Sequence, residues 1–268
     1  MKNIESLDNK LVKEVVDLKE SKNRKKKGLF LVDGLREINL AMLANYELVF
    51  LFFLERNTEE ERDIINKALK TKAETIRISE KVLNKLAYKE NPDGFLAVFK
   101  IKSFSLEDLT KTETSYPIIV LEGLEKPGNL GAIIRTASAA GLKNIVINDC
   151  LIDIYNPNVI KASEGLLFFV NIFNDSKEKT FSLLKKNKIK TVGAITIAKK
   201  SYDQINFLEK TAIILGSEAQ GLSEFWLKKV DEKVRIPMRK EVDSLNVSVS
   251  AAILIYEAIK QNSFFALK

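Results

Sequence analysis

The sequence predicts an α/β protein made of two successive units, each a set of short apolar strands separated by helices. Three observations carry this. Short apolar runs alternate with longer amphipathic stretches between residues 29 and 100, and the alternation restarts after Pro117. The later runs lack the in–out alternation of a half-exposed strand, which marks a parallel sheet covered on both faces. Between the two sets, "SFSLEDLTKTETSYP" (103–117) has few periodic apolar positions and reads as a linker. The expected division is 1–102, a linker over 103–116, and 117–268.

In the first unit, "LDNKLVKEVVDLKESKN" sets Leu7, Leu11, Val15 and Leu18 on one helical face. The basic run "KNRKKKG" (22–28) follows. It reads either as a solvated loop or as phosphate contacts from Lys22, Arg24, Lys25, Lys26 and Lys27. Strands are expected at "GLFLVDG", "ELVFLFFLE", "ETIRIS" and "GFLAVFK", with helices "LREINLAMLAN", "EEERDIINKALK" and "EKVLNKLAY" between them. In the second unit, "IIVLEG", "NIVIND", "KTVGAIT", "AIILG" and "EKVRIP" read as strands. Helices are expected at 128–140, at 177–187 and from about 246 to 262.

Composition narrows the chemistry. The chain of 268 residues has 43 basic and 36 acidic residues, a net charge of +7, which favours a polyanionic partner such as nucleic acid. There is no histidine, so imidazole acid–base catalysis, serine–histidine triads and the usual zinc sites are excluded. The single cysteine, Cys150, permits no intrachain disulfide and fits a reducing compartment. With no histidine to activate it, it reads as a buried structural thiol. The polar start "MKNIESLDNK" is not a targeting segment, and "LVFLFFL" (48–54) is too short to span a bilayer. A soluble cytoplasmic protein is expected.

Three segments carry candidate chemistry. In "EGLEKPGNLGAIIRTASAAG" (122–141) a strand turns into a helix near Asn129, and a helix start presents free N–H groups. The glycines are Gly128 and Gly131, not the G-x-G-x-x-G of a dinucleotide fold. A tight turn, a dinucleotide turn and an RNA and methyl-donor site all remain open on this segment alone. Arg135 shares a helical face with Gly131 and stands in an otherwise apolar helix, which calls for an anionic partner. In "AIILGSEAQGLSEFW" (212–226) a strand breaks at Gly216, Glu218 sits before Gly221, and Ser223 is placed to cap a helix. In "VRIPMRKEVDSLNVSVSAAILIYEAI" (234–259) a strand stops at Pro237, and Asn246 stands at the entrance of the last helix.

Together these segments resemble the three signature motifs of the SpoU–TrmH family of RNA 2′-O-ribose methyltransferases, in family order. The matches are "NLGAIIRTA", "LGSEAQGLS" and "IPM…SLNVSVSAA". The first domain is similar to the small substrate-binding domain of many relatives, through "GLFLVDGLREI" and "NPDGFLAVF". The resemblance implies a trefoil-knotted methyltransferase domain, a homodimer, and S-adenosylmethionine as cofactor, with no metal. By motif matching it places Gly216, Ile236 and Leu245 at the cofactor, with Leu215, Met238 and Val247 beside them. It assigns Arg135 to activating the ribose hydroxyl, with Asn129, Glu218, Ser244 and Asn246 positioning substrate and supporting Arg135. The implied substrate is RNA: large-subunit ribosomal RNA, with transfer RNA as the alternative. A ribosome-associated RNA-binding protein that keeps the fold without turnover is the rival from another class.

Overall fold

The computed structural model describes residues 2–55, 58–111 and 116–262. The chain forms two compact units, Met1–Lys102 with Asp153–Phe168, and Ser103–Ile152 with Phe169–Lys268.

The first unit runs β1 (Lys2–Ile4), α1 (Lys10–Val16), α2 (Ser21–Lys27), β2 (Leu29–Asp33), α3 (Leu35–Leu43), β3 (Leu48–Phe53), α4 (Glu59–Leu69), β4 (Glu74–Ile78), α5 (Glu80–Leu86) and β5 (Phe95–Lys100). Its sheet has the order β1-β4-β3-β5-β2. β1, β4 and β3 are parallel, and β5 runs antiparallel to both β3 and β2. The expected helical face over 7–18 is shorter than the spacing suggests. Asn9 caps α1 through Leu11 N–H, the helix proper stops at Val16, and Leu7 lies outside it, exposed. Val12, Val15 and Leu18 carry the burial.

The basic run is not a loop. Residues 21–27 form α2, closed by Gly28 at φ 64°, whose N–H bonds the Arg24 carbonyl. Glycine takes this left-handed conformation at little steric cost, so it stops the helix there. Helicity turns Arg24 inward while Lys22, Lys25, Lys26 and Lys27 stay exposed. Arg24 is 2% exposed; its Nη2 lies 2.6 Å from Asp153 Oδ2, and its Nη1 donates to the Leu18 and Lys19 carbonyls. The reading of Arg24 as a phosphate contact is therefore corrected: it is half of a buried ion pair.

The second unit begins with a further correction. The stretch expected as a linker contains a 3-10 turn, Leu106–Thr110, whose Leu106 and Leu109 are buried in the unit's core beside Val120, Val146 and Phe173. Two apolar side chains three residues apart are enough to anchor such a turn. β6 (Ile118–Glu122), α6 (Pro127–Ala139) and β7 (Asn144–Asn148) follow. Residues 153–168, with α7 (Pro157–Ala162), then return to the first unit, so the expected continuous 117–268 domain is interrupted. The reason is apolar: Tyr155 packs on Phe30 at 4.3 Å between ring centroids, and Phe168 packs on Tyr46.

The chain resumes with β8 (Asn171–Asn174), α8 (Lys177–Lys186), β9 (Lys190–Ala194), β10 (Lys200–Ser201), β11 (Thr211–Leu215), α9 (Glu224–Lys229), β12 (Glu232–Arg235) and α10 (Val247–Gln261). The seven strands have the order β10-β12-β9-β11-β6-β7-β8, and every pair is parallel. The five residues of β6, of β7 and of β11 are all buried, as the lack of alternation predicted. The chain leaves β6 towards β7 and β8, then returns to the other side at β9. In open parallel sheets, ligands bind outside the carboxyl ends of strands near such a reversal.

Candidate active site

The strand ends on that side enclose a cleft of about 480 Å³, within the size range of small-molecule sites. Leu215 and Gly216 lie where β11 ends, Ala194 and Ile195 where β9 ends, and Ile236 where β12 ends. The other wall is the approach to α10, including Ser244, Leu245, Asn246 and Val247. All six residues expected at the cofactor (Leu215, Gly216, Ile236, Met238, Leu245 and Val247) line this one cleft.

Gly216 has a stronger reason to be glycine than the approach of a ligand. A Cβ there would lie 2.1 Å from the Gly221 carbonyl carbon. The backbones of Ser217 and Gly221 exchange hydrogen bonds of 3.1 and 2.9 Å, closing a tight turn against Gly216. Gly221 completes it at φ 67°. This turn carries Glu218 to the mouth of the cleft.

There the three motif segments meet. Asn129, in the first turn of α6, donates through Nδ2 to Glu218 Oε1. Asn246 Nδ2 donates to Asn129 Oδ1 at 3.1 Å. Asn246 also caps α10, its Oδ1 accepting from Ser248 N–H at 2.8 Å and from Ser248 Oγ at 2.7 Å. The amide can serve both because its oxygen faces the helix and its NH₂ faces Asn129. Ser244 lines the cleft beside Asn246. Arg135 lies six residues beyond Asn129 on α6, about 9 Å further along the axis; its side chain is exposed, outside the cleft lining. The structure thus joins Asn129, Glu218 and Asn246 directly and leaves Arg135 on the same helix, further out.

Cys150 donates to the Leu124 carbonyl at 3.4 Å, and burial pushes its thiol pKa up. It stays protonated near neutral pH, which suits a structural role. Ser223 stands at the N-cap position of α9 but makes no capping bond; its hydroxyl donates to Glu122 instead. Lys126, Ala194, Ile195 and Thr196 also line the cleft and were not anticipated. "KTVGAIT" reads only as a strand, and its role depends on β9 lying beside β11 and β12. Among the described residues there is no group of three or more histidine, cysteine, aspartate or glutamate side chains placed to hold a metal.

A parallel sheet with a cleft at its strand ends, lined by Gly216 with both apolar and polar side chains and edged by amides and a carboxylate, has the form of an α/β enzyme site for a small organic cofactor. The SpoU rRNA Methylase family profile matches residues 116–256, and an MRM3-like substrate binding domain matches 9–97. A solved RNA 2′-O ribose methyltransferase superposes with a TM-score of 0.82 at 36% identity, over 97% of this chain and 99% of that one. The 23S rRNA (guanosine(2553)-2′-O)-methyltransferase RlmP of Bacillus subtilis is 29% identical, over 96% of this chain and 98% of its own length. An S-adenosylmethionine-bound rRNA methyltransferase of Sinorhizobium meliloti shares the fold, with a TM-score of 0.88 at 24% identity over 97% of each chain. The chain belongs to the SpoU rRNA methylase family. It is an RNA 2′-O-ribose methyltransferase that uses S-adenosylmethionine.

The cleft fits that cofactor. Leu215, Ile236, Met238 and Leu245 supply apolar walls for an adenine, and Glu218 and Asp243 supply negative charge for a cationic ligand. Residues 236–239 and 242–246 are in neither helix nor strand, so their peptide groups lie outside the regular ladders.

Proposed function

We propose that this enzyme methylates a ribose 2′-hydroxyl of large-subunit ribosomal RNA, with the cofactor held by Leu215, Gly216, Ile236, Met238, Leu245 and Val247. The observation that carries the placement of the site is the hydrogen-bonded chain Glu218–Asn129–Asn246, which draws all three motif segments to the mouth of the cleft. The ribosomal substrate is supported by the 23S rRNA methyltransferase activity of the Bacillus subtilis relative and by the substrate-binding match over 9–97.

S-adenosylmethionine supplies an electrophilic methyl group. The chain's own residues must orient the ribose oxygen and stabilise the charge that grows on it as its proton leaves. Arg135 is suited to the second task. A guanidinium presents a planar fork of N–H donors and no acceptor, which suits it to hold a developing alkoxide or the neighbouring phosphate. Asn129, tied on both sides, fixes the rim past which the ribose enters. Ser244 and Asn246 present a hydroxyl and an amide beside it.

The same reading includes three further features. Val249 and Tyr256 are exposed on α10 with half-buried Ile253 between them, an apolar stripe at helical spacing. This supports a homodimer formed through that helix. The packing of α10 on α6, with 236–247 closing the cleft, supports the trefoil threading that the family resemblance implies. Lys22, Lys25 and Lys26, exposed on α2 and in no ion pair among the described residues, are placed to meet phosphates.

The test is a map of 2′-O-methyl positions in ribosomal and transfer RNA from cells with and without the gene. One large-subunit ribosomal position should lose its methyl group and regain it on complementation. Loss confined to transfer RNA would replace the proposed substrate.

A further inference from the structure

We infer that Glu122, the last residue of β6, is a positioning residue that holds the Ser217–Gly221 turn in the shape the cofactor cleft requires. The inference rests on the reading that this cleft holds S-adenosylmethionine. Glu122 is 5% exposed, and a carboxylate so buried is sustained only by charge compensation and hydrogen bonds. Its Oε2 accepts the Ser223 N–H at 2.8 Å, and its Oε1 accepts the Ser223 hydroxyl at 2.7 Å. Lys177 Nζ lies 3.5 Å from Oε1 and is itself held by Asp149 at 2.9 Å.

Ser223 is two residues past Gly221, so both bonds grip the downstream end of the turn. The upstream end is fixed in β11, which pairs with β6, the strand that ends in Glu122. The turn has two faces. One carries Gly216 and Glu218 into the cofactor cleft, and the other closes a second cleft of about 300 Å³ lined by Glu122, Asp149 and Lys177. It is a thin wall between two open spaces. Within the turn the Ser217 and Gly221 backbones exchange hydrogen bonds and the Ser217 hydroxyl accepts the Gln220 N–H. The grip on Ser223 adds an anchor from β6 that holds the turn, and with it Glu218, in register with Asn129.

The experiment compares wild type, Glu122→Gln, Ser223→Ala and the double variant. Calorimetry gives S-adenosylmethionine affinity, steady-state methylation gives kcat and the KM for RNA, and a melt gives stability. Failure of the wild type to bind S-adenosylmethionine would sink the reading of the cleft and this inference with it, whereas a failure of the inference alone shows only in the variants. With the wild type binding, Glu122→Gln should weaken cofactor affinity about fivefold and lower kcat about tenfold, with the KM for RNA unchanged. The double variant should be little worse than Glu122→Gln, because both changes weaken the same Glu122–Ser223 pairing. Cofactor affinity and kcat within about twofold of wild type, whatever the melting temperature, would reduce Glu122 to a structural role and overturn the inference. If Glu122→Gln does not fold, Ser223→Ala decides alone: weakened cofactor affinity supports the inference and unchanged affinity refutes it.

Discussion

On the proposed reading Arg135 and Asn129 have separate tasks, Arg135 holding charge on the ribose oxygen and Asn129 fixing the rim of the cleft. Arg135→Lys keeps a positive charge but loses the planar fork. We expect turnover to fall about 100-fold, the range seen on removing a donor to a developing oxyanion. Calorimetry should find S-adenosylmethionine affinity nearly unchanged, because Arg135 is not part of the cleft lining. Asn129→Ala removes the bridge between Glu218 and Asn246. Its effect on kcat should not multiply with that of Asn246→Ala, since the two side chains act through one hydrogen bond. Fully multiplicative losses would mean that the bridge is incidental. Arg24 is the opposite case, a residue that looked functional and is structural. Its partner Asp153 is 129 positions away, a pairing that no local pattern reveals. Arg24→Gln leaves a buried carboxylate unpaired, so chemical denaturation should show a loss of about 3 kcal/mol or more.

Among elements, the parallel strands β6, β7, β9, β11 and β12 and the three strand–turn–helix junctions were legible because each is a local pattern, an apolar run followed by glycine or proline, whereas β1, β8 and β10, only two to four residues long, carry no such run and were missed. The reason behind Gly216 was not. The sequence suggested room for a ligand, whereas the structure shows the backbone of Gly221 occupying that space. Gly216→Ala should therefore displace the turn itself. Cofactor affinity should fall together with turnover, while the far-UV circular dichroism of the sheet and helices is kept. Normal binding by this variant would mean that the turn tolerates movement that the contact distance forbids. The run 22–28 was misjudged because four lysines and an arginine hide a helix whose only stop signal is Gly28. Replacing Lys22, Lys25 and Lys26 by glutamine should lower the slope of log affinity for RNA against log salt by about two units, and leave S-adenosylmethionine binding alone.

At the scale of the whole chain, the division into two units was visible in the repeated strand–helix alternation, but its true boundary was not. Residues 153–168 fall within the stretch 117–268 expected as the second unit, yet they supply Asp153, Tyr155 and Phe168 to the first. A fragment of residues 1–102 would leave Arg24 without its partner and uncover Phe30 and Tyr46. Such a fragment should melt far below the intact protein, or aggregate. The central claim is that this molecule carries a methyl group from S-adenosylmethionine to a ribose oxygen through the site where its three motifs meet. The direct measurement is transfer from methyl-labelled S-adenosylmethionine to purified ribosomal RNA by wild type and Arg135→Lys, followed by digestion to nucleosides. The account predicts label in a single 2′-O-methylnucleoside with wild type, and about a hundredth of that rate with the variant. Label on a base, or equal transfer by both proteins, would contradict it.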